Sequence, residues 1–192
     1  MTSPVSALSD EEIAHRVQEG NTEDFGMLMD RYVHKLSRYG RKFLSNDDHI
    51  EDMVQEIFIK AYEHIQSFDS NQKFSPWIYR IAHNTYANEL RRKSRIPVSF
   101  FDFDVLVSYA VDTNTPEHEQ ERQEMKKIVD QGLEQLPSRY REIVILYYID
   151  DFGYKEISDI LHIPIGTVGV RLRRAKESLK EIYKKLHINH EY

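Results

Sequence analysis

Between Ile50 and Lys93 the chain carries two helical periods joined by one short polar loop, and no other stretch constrains the fold as strongly. Ile50, Met53, Val54, Ile57, Phe58, Ala61 and Ile65 recur at helical spacing and form one apolar stripe. That stripe must be buried against other elements. It leaves Asp52, Gln55, Glu56, Ile59, Lys60 and Glu63 turned away, an acidic face with an isoleucine set into it. In the second period Ile78, Ile81, Ala82 and Thr85 face inward, and Trp77, Arg80, Asn84, Asn88 and Arg91 line up outward at spacings of 3, 4, 4 and 3 residues. A tryptophan, two amides and two arginines on one face, followed by Arg92, Lys93 and Arg95, suit stacking on bases and pairing with phosphates. A solvated helix end with one surface tryptophan is the plainer alternative.

The preceding residues supply helix signals. Ser9 with Glu12 makes a capping box that opens a short helix ending at Gly20. Asn21 with Asp24 repeats the signal, and Phe25, Leu28, Met29, Tyr32, Val33, Leu36 and Phe43 continue an amphipathic helix to about Leu44. The cluster Ser45-Asn46-Asp47-Asp48 breaks that helix and starts the next. After the loop Asp69-Ser70-Asn71-Gln72-Lys73, Ser75 as N-cap with Pro76 at the first helical position starts the helix of Trp77. No period-two alternation long enough for a sheet appears, so this is an all-helical domain of about 90 residues.

Pro97 ends it. From Val98 to Glu119 no steady period is present; FFDFDVLV has the composition of a short strand but no partner strand. Pro116 and the acids after it begin another helix, with Met125, Ile128, Val129, Gly132 and Leu133 inward, running to about Gln135. Pro137 initiates a helix to Ile149, and Asp150-Asp151-Phe152-Gly153 turns the chain into a two-turn helix, Tyr154 to Leu161. The turn His162-Ile163-Pro164 leads to a long basic helix with Val168, Leu172, Ala175 and Leu179 inward. Short helix, tight turn and basic helix form the helix-turn-helix signature, whose second helix enters a major groove. The expected organisation is all-α: two small helical domains, 1–96 and 124–192, joined by an acidic linker, 97–123.

Charge follows the same division. The net charge of −6 is unusual for a protein that holds DNA unaided, but it is segregated. Arg91 to Arg95 holds four basic residues and no acid, and Arg171 to Lys185 holds seven against Glu177 and Glu181. Asp102 to Glu124 between them is acidic, which points to two contacts on one polyanion. The absence of cysteine excludes a disulfide framework and thiolate metal sites and fits a reducing cytoplasm. No apolar run approaches membrane-spanning length, and the N-terminal MTSPVSALSDEE lacks the regions of a signal peptide, so no membrane insertion is expected.

Catalytic chemistry has little to stand on. The nine histidines are scattered, and the group Asp47, Asp48, His49, Glu51 and Asp52 lies at a helix start, where acids favour the dipole anyway. His187 and His190 stand near a terminus with no carboxylate close in sequence. There is no glycine-rich phosphate loop and no Ser-His-Asp arrangement, so neither an enzyme nor a cofactor is expected.

HIEDMVQEIFIKAYEHI followed by FSPWIYRIAHNTYANELRRK closely resembles region 2 of extracytoplasmic-function (ECF) sigma factors of the bacterial sigma-70 family. LPSRYREIVILYYIDDFGYKEISDILHIPIGTVGVRLRRAKESL resembles region 4 of the same family. The resemblance implies a subunit that binds core RNA polymerase in the cytoplasm and directs promoter recognition and transcription initiation. Carried over by motif, Asp52, Gln55, Glu56 and Ile59 would grip the polymerase clamp helices. Asp69, Ser70, Asn71, Gln72 and Lys73, with Trp77, Arg80, Asn84, Asn88, Arg91, Arg92 and Lys93, would read and hold the separated −10 strand. Thr167, Gly169, Val170, Arg171, Arg173 and Arg174 would dock in the −35 major groove, and the linker would thread through the polymerase. The resemblance also implies a membrane-anchored anti-sigma partner and an envelope-stress regulon.

Two places depart from the family pattern. His162 stands where the turn commonly has glycine, and Gly169 and Val170 replace a Lys or Arg and a small polar residue in the recognition helix. A different class stays open on the residues alone: a helix-turn-helix regulator with an N-terminal ligand-binding or dimerisation domain, which would bind duplex DNA by itself as a dimer.

Overall fold

A computed structural model describes residues 8–41, 43–93, 129 and 131–188. Every regular element among them is helical, and no strand occurs among the described residues. The elements are α1 (Asp10–Gln18), α2 (Phe25–Gly40), α3 (Asp47–His64), α4 (Phe74–Lys93), α5 (described over 131–135), α6 (Ser138–Tyr148), α7 (Tyr154–Leu161) and α8 (Ile165–Ile188). The chain divides into two compact units, Met1–Phe101 and Asp102–Tyr192. The FFDFDVLV segment, the linker 97–123, Arg95, the helix start at Pro116, Met125, Ile128 and His190 lie outside the described residues.

In the first unit α1 begins as its capping box dictates. Ser9 Oγ accepts from the Glu12 amide at 3.1 Å, and Glu12 Oε2 accepts from the Ser9 amide at 2.7 Å. Ile13, Ala14 and Val17 are buried, and Gly20 turns the chain at φ +104°. The second capping signal is not used. Asn21 turns its amide back to the Arg16 carbonyl, Arg16 takes the Asp24 carboxylate at 2.6 Å, and Thr22–Asp24 forms a 3-10 turn before α2. A side chain engaged by α1 is not available to cap α2.

Helix α2 stops at Gly40 and not near Leu44, and it meets α4 closely at that end. Tyr86 of α4 lies directly over Gly40, and the amides of Phe43 and Leu44 both turn back to the Gly40 carbonyl. Tyr32, Tyr39, Tyr79 and Tyr86 are fully buried, with Phe74, Leu28, Leu36, Ile50, Ile57 and Ile78. Each apolar side chain of that size removed from water contributes roughly 1.5–3 kcal/mol before entropy is counted. The apolar stripe of α3 is inward as its period requires, apart from Met53, which is half-buried. On α4, Ile78, Ala82 and Thr85 are buried and Ile81 is half-exposed.

The N-terminus of α4 also departs from expectation. The helix begins at Phe74, so Ser75 is inside it and does not cap it. Glu11 Oε1, from α1, accepts from the Phe74 amide at 2.9 Å and does the capping from a distance. Pro76 still falls in the first turn, where its missing N–H leaves no helical bond unmade.

The second unit packs α6, α7 and α8 around Ile143, Ile145, Leu146, Ile157, Ile160 and Val168. Tyr183 of α8 lies over Gly132 of α5, where a Cβ would fall 2.5 Å from its ring. Between α7 and α8, His162 adopts φ 52°, ψ 45°, the left-handed conformation that glycine tolerates best. Two hydrogen bonds hold it there: the Ile163 amide donates to the Ser158 carbonyl at 3.2 Å, and Ser158 Oγ donates to the Ile163 carbonyl at 2.6 Å. The turn thus requires left-handed backbone and gets it from a histidine, at a cost of about 1–2 kcal/mol relative to glycine.

Candidate nucleic-acid interface

On α3 the acidic face is exposed as its spacing requires. Asp52, Gln55 and Ile59 are exposed, Ile59 by 59%, and Glu56 is half-buried. A bare isoleucine between acids on a helix with a complete core face has no packing role in its own domain. Glu56 differs from its neighbours: its carboxylate pairs with Lys60 at 2.6 Å, and Lys60 also donates to Thr85 of α4 at 3.3 Å. Tyr62, one helical step beyond Ile59, is exposed as well and extends the apolar part of the strip.

The connection from α3 to α4 builds its own shape. Asp69 Oδ1 accepts from the Asn71 amide at 3.0 Å and from Asn71 Nδ2 at 2.9 Å, and the Gln72 amide donates to the Asp69 carbonyl at 2.9 Å. The Asn71 bonds hold the Asp69 carboxyl below the usual carboxylate range. Asp69 therefore serves the turn, which leaves Asn71, Gln72 and Lys73 exposed and Ser70 half-buried.

Along α4 the expected stripe exists but is not uniform. Trp77 is half-buried, its ring 5.2 Å from Phe68 and 5.4 Å from Phe74, so it joins the loop to the core. Arg80 is half-buried, while Asn84, Asn88 and Arg91 are exposed, with Arg91 donating to Asn88 Oδ1 at 3.1 Å. Arg92 pairs with Glu89 at 2.9 Å, and Lys93 ends the helix. Glu89 is only 6% exposed and also meets His49 of α3 at 3.1 Å, a buried carboxylate that helical period alone did not flag.

In the second unit α7, the His162 turn and α8 form a helix-turn-helix. Val168, Leu172 and Ala175 are buried, and Leu179 is half-buried. The exposed crest opposite is Gly166, Val170, Arg173, Arg174 and Glu177. Thr167, Gly169 and Arg171 are half-buried on its flanks, so the six candidates do not share one line. Arg174 reaches the Tyr140 hydroxyl, which with Arg139 lowers that phenol below its usual pKa. Arg173 lies 4.0 Å from Glu177, an exposed and weak pair. A Cβ on Gly169 would meet Tyr154 at 3.5 Å, and one on Gly166 would meet nothing within 4 Å.

Two family models match the chain, Sigma-70 region 2 over residues 28–96 and Sigma-70 region 4 over residues 126–179. The ECF RNA polymerase sigma factor SigW of Bacillus subtilis is 36% identical over 174 residues, 86% of this chain and 92% of that protein. The ECF RNA polymerase sigma-E factor of Escherichia coli K12 is 35% identical over 90% of this chain and 93% of that protein. The chain belongs to the ECF sigma factors of the sigma-70 family. It is an RNA polymerase sigma factor that binds core polymerase and directs promoter recognition and transcription initiation. A likeness of fold runs alongside. The sigma factor RpoE of Bartonella quintana, solved with the anti-sigma factor NepR, superposes with a TM-score of 0.64 at 24% identity, covering 84% of this chain and 98% of that one.

Several features of this sigma factor escaped its sequence. Tyr140 and Arg139 stand beside Arg174 because α6 crosses α8, a tertiary fact with no local signal. Gly166 joins the exposed crest by standing one helical turn before Val170, which the period of α8 does encode. Among the described residues no group of three or more His, Asp or Glu side chains could hold a metal ion. No helix among them is long and apolar enough to cross a membrane.

Proposed function

We propose that this sigma factor divides its work among three surfaces: the α3 face on core polymerase, the 69–73 loop with the α4 stripe on the melted −10 strand, and the α8 crest in the −35 major groove. The observation that carries the proposal is the α4 stripe itself. Asn84, Asn88 and Arg91 stay exposed along a helix whose other face buries Ile78, Ala82, Thr85 and Tyr86, and a self-bonded loop stands at its N-terminus. Exposed amides are hydrogen-bonding groups suited to unpaired bases, and arginines to phosphates.

Ile59 and Asp52 supply an apolar contact and a charge for polymerase, with Glu56 partly committed to Lys60. Arg173 and Arg174 supply guanidinium groups to the −35 duplex, and Tyr140 orients one of them. Domain limits of 1–96 and 124–192 with a linker at 97–123 accommodate both region matches. The protein acts in the cytoplasm, without enzymatic activity of its own. The RpoE and NepR pair supports an anti-sigma partner for this chain too; that the partner is membrane-anchored and controls an envelope-stress regulon is part of the same proposal. Transcription in vitro tests the whole assignment. Core polymerase with a promoter library should give specific start sites only when this protein is added, and none should appear with core alone.

A further inference from the structure

Helix α1 precedes the part of the chain that the region 2 model matches, yet it grips the connection between α3 and α4 at both ends. Gln18 Nε2 donates to the Ile65 carbonyl and to the Phe68 carbonyl, each at 2.7 Å, which uses both amide hydrogens. Gln66 answers by donating to the Gln18 carbonyl at 3.2 Å. At the far end Glu11 Oε1 accepts from the Phe74 amide at 2.9 Å. Glu11 and Gln18 are two turns apart on one side of α1, about 10 Å along its axis. They therefore fix where the loop leaves α3 and where it enters α4.

We propose that Glu11 and Gln18 are positioning residues for −10 recognition, setting the span across which loop 69–73 is presented to the melted strand. The proposal rests on the assignment of that loop to the −10 element. Three observations separate it from simple bracing. Stability of α1 is already supplied by Ile13, Ala14 and Val17, which are buried independently of either polar side chain. Glu11 and Gln18 are half-exposed, and their side chains bond to backbone at the two ends of the connection. The rings of the anchored residues Phe68 and Phe74 pack on each other and both pack on Trp77, so a shift at either anchor reaches the stripe as well as the loop. A loop fixed in its bound shape loses less conformational freedom on binding, so freeing it weakens recognition without deleting any contact.

Near-isosteric substitutions test this in full-length protein assembled with core polymerase, on pre-melted templates randomised across the −10 positions. Gln18→Glu keeps the shape but cannot donate, and it sets a carboxylate against two carbonyls. Glu11→Gln keeps the acceptor oxygen, and Glu11→Ala removes it. Gln18→Glu and Glu11→Ala are expected to lose roughly tenfold in bubble affinity, the equivalent of fixing one or two side chains, and to flatten base preference. Glu11→Gln should rescue both readouts, and core polymerase affinity should stay as in the unmodified protein for all three. Asn71→Ala, in the loop itself, is the control for the underlying assignment. If Asn71→Ala changes base preference and Gln18→Glu and Glu11→Ala do not, the positioning role is overturned while the loop assignment stands. If Asn71→Ala has no effect, the loop assignment fails and the proposal fails with it. If Gln18→Glu lowers the melting temperature and polymerase affinity together with base preference intact, Gln18 only braces the fold, and the proposal is again overturned.

Discussion

The Tyr86 phenol occupies the space where a side chain on Gly40 would stand: a Cβ there would lie 2.4 Å from Tyr86 Oη and 2.6 Å from Cζ. Tyr86 Oη donates to the Leu36 carbonyl at 3.1 Å, and its ring stacks on Phe43 at 5.5 Å with planes 7° apart. Gly40→Ala should therefore destabilise the first unit by about 1–3 kcal/mol, the usual cost of overpacking. Tyr86→Phe should cost about 1 kcal/mol by removing the hydrogen bond to the Leu36 carbonyl. Thermal melts of the two variants, with Gly26→Ala as the control, check the ranking; nothing lies within 4 Å of a Cβ at Gly26.

Alkaline pH should act on the same core. Burial pushes up the phenols of Tyr32 and Tyr86, and Asp10 helps hold the Tyr32 proton by accepting it at 2.5 Å. Both are neutral when folded, whereas in the unfolded chain they ionise near pH ~10. Their contribution is thus complete below that value and falls as pH rises above it, by about 1.4 kcal/mol per unit for each tyrosine. Urea unfolding at several pH values above about 10 should show that loss, and Tyr86→Phe should halve its slope.

On the α3 face the structure ranks the variants. Ile59→Ala should leave the melting temperature unchanged, because the side chain is exposed, and should cost up to roughly 1.5–3 kcal/mol of core polymerase affinity if the whole side chain is buried there. Asp52→Ala should lower affinity more at low salt than at high salt. Glu56→Ala should have the smallest effect, since its carboxylate already faces Lys60. Titration of each variant against core polymerase decides the order.

In the second unit Tyr140→Phe removes the acceptor that orients Arg174 while leaving the buried ring in place. It should weaken binding to the −35 element of a promoter selected in vitro, less than Arg174→Ala does. A bidentate guanine contact by Arg174 would be worth about 1–3 kcal/mol and specific to one base pair. A phosphate contact would weaken all sequences alike and reduce the salt slope by about one unit. Comparing matched and scrambled −35 duplexes in holoenzyme separates the two.

Helix number, order and core faces were legible in the sequence because they depend on period and caps, which are local. Tyr154 to Leu161 kept its expected limits, and Ser9 with Glu12 capped α1 as the pattern required. The misjudged positions are those where a distant residue competes. Asn21 and Asp24 were drawn to Arg16, and Phe74 was capped by Glu11, so α4 began before Ser75. Tyr79, Tyr86 and Glu89 are buried although tyrosine and glutamate have no fixed side of a helix; Gly40 made room for one, and His49 with Arg92 paired with another. Of the candidate interface, the exposed rows on α3 and α4 followed from period alone. The demotion of Glu56 to an ion pair and the use of Asp69 to shape its loop depend on contacts that spacing does not encode.

The most direct test of the −10 assignment is Asn84→Ala in holoenzyme, measured on a pre-melted bubble and on the same promoter fully paired. Asn84 is exposed in the middle of the α4 stripe, so its loss should not disturb folding. Relaxed base preference at one −10 position is expected on the bubble, with −35 duplex binding unchanged. Wild-type discrimination by Asn84→Ala on every bubble sequence would contradict it and return the stripe to a solvated helix face.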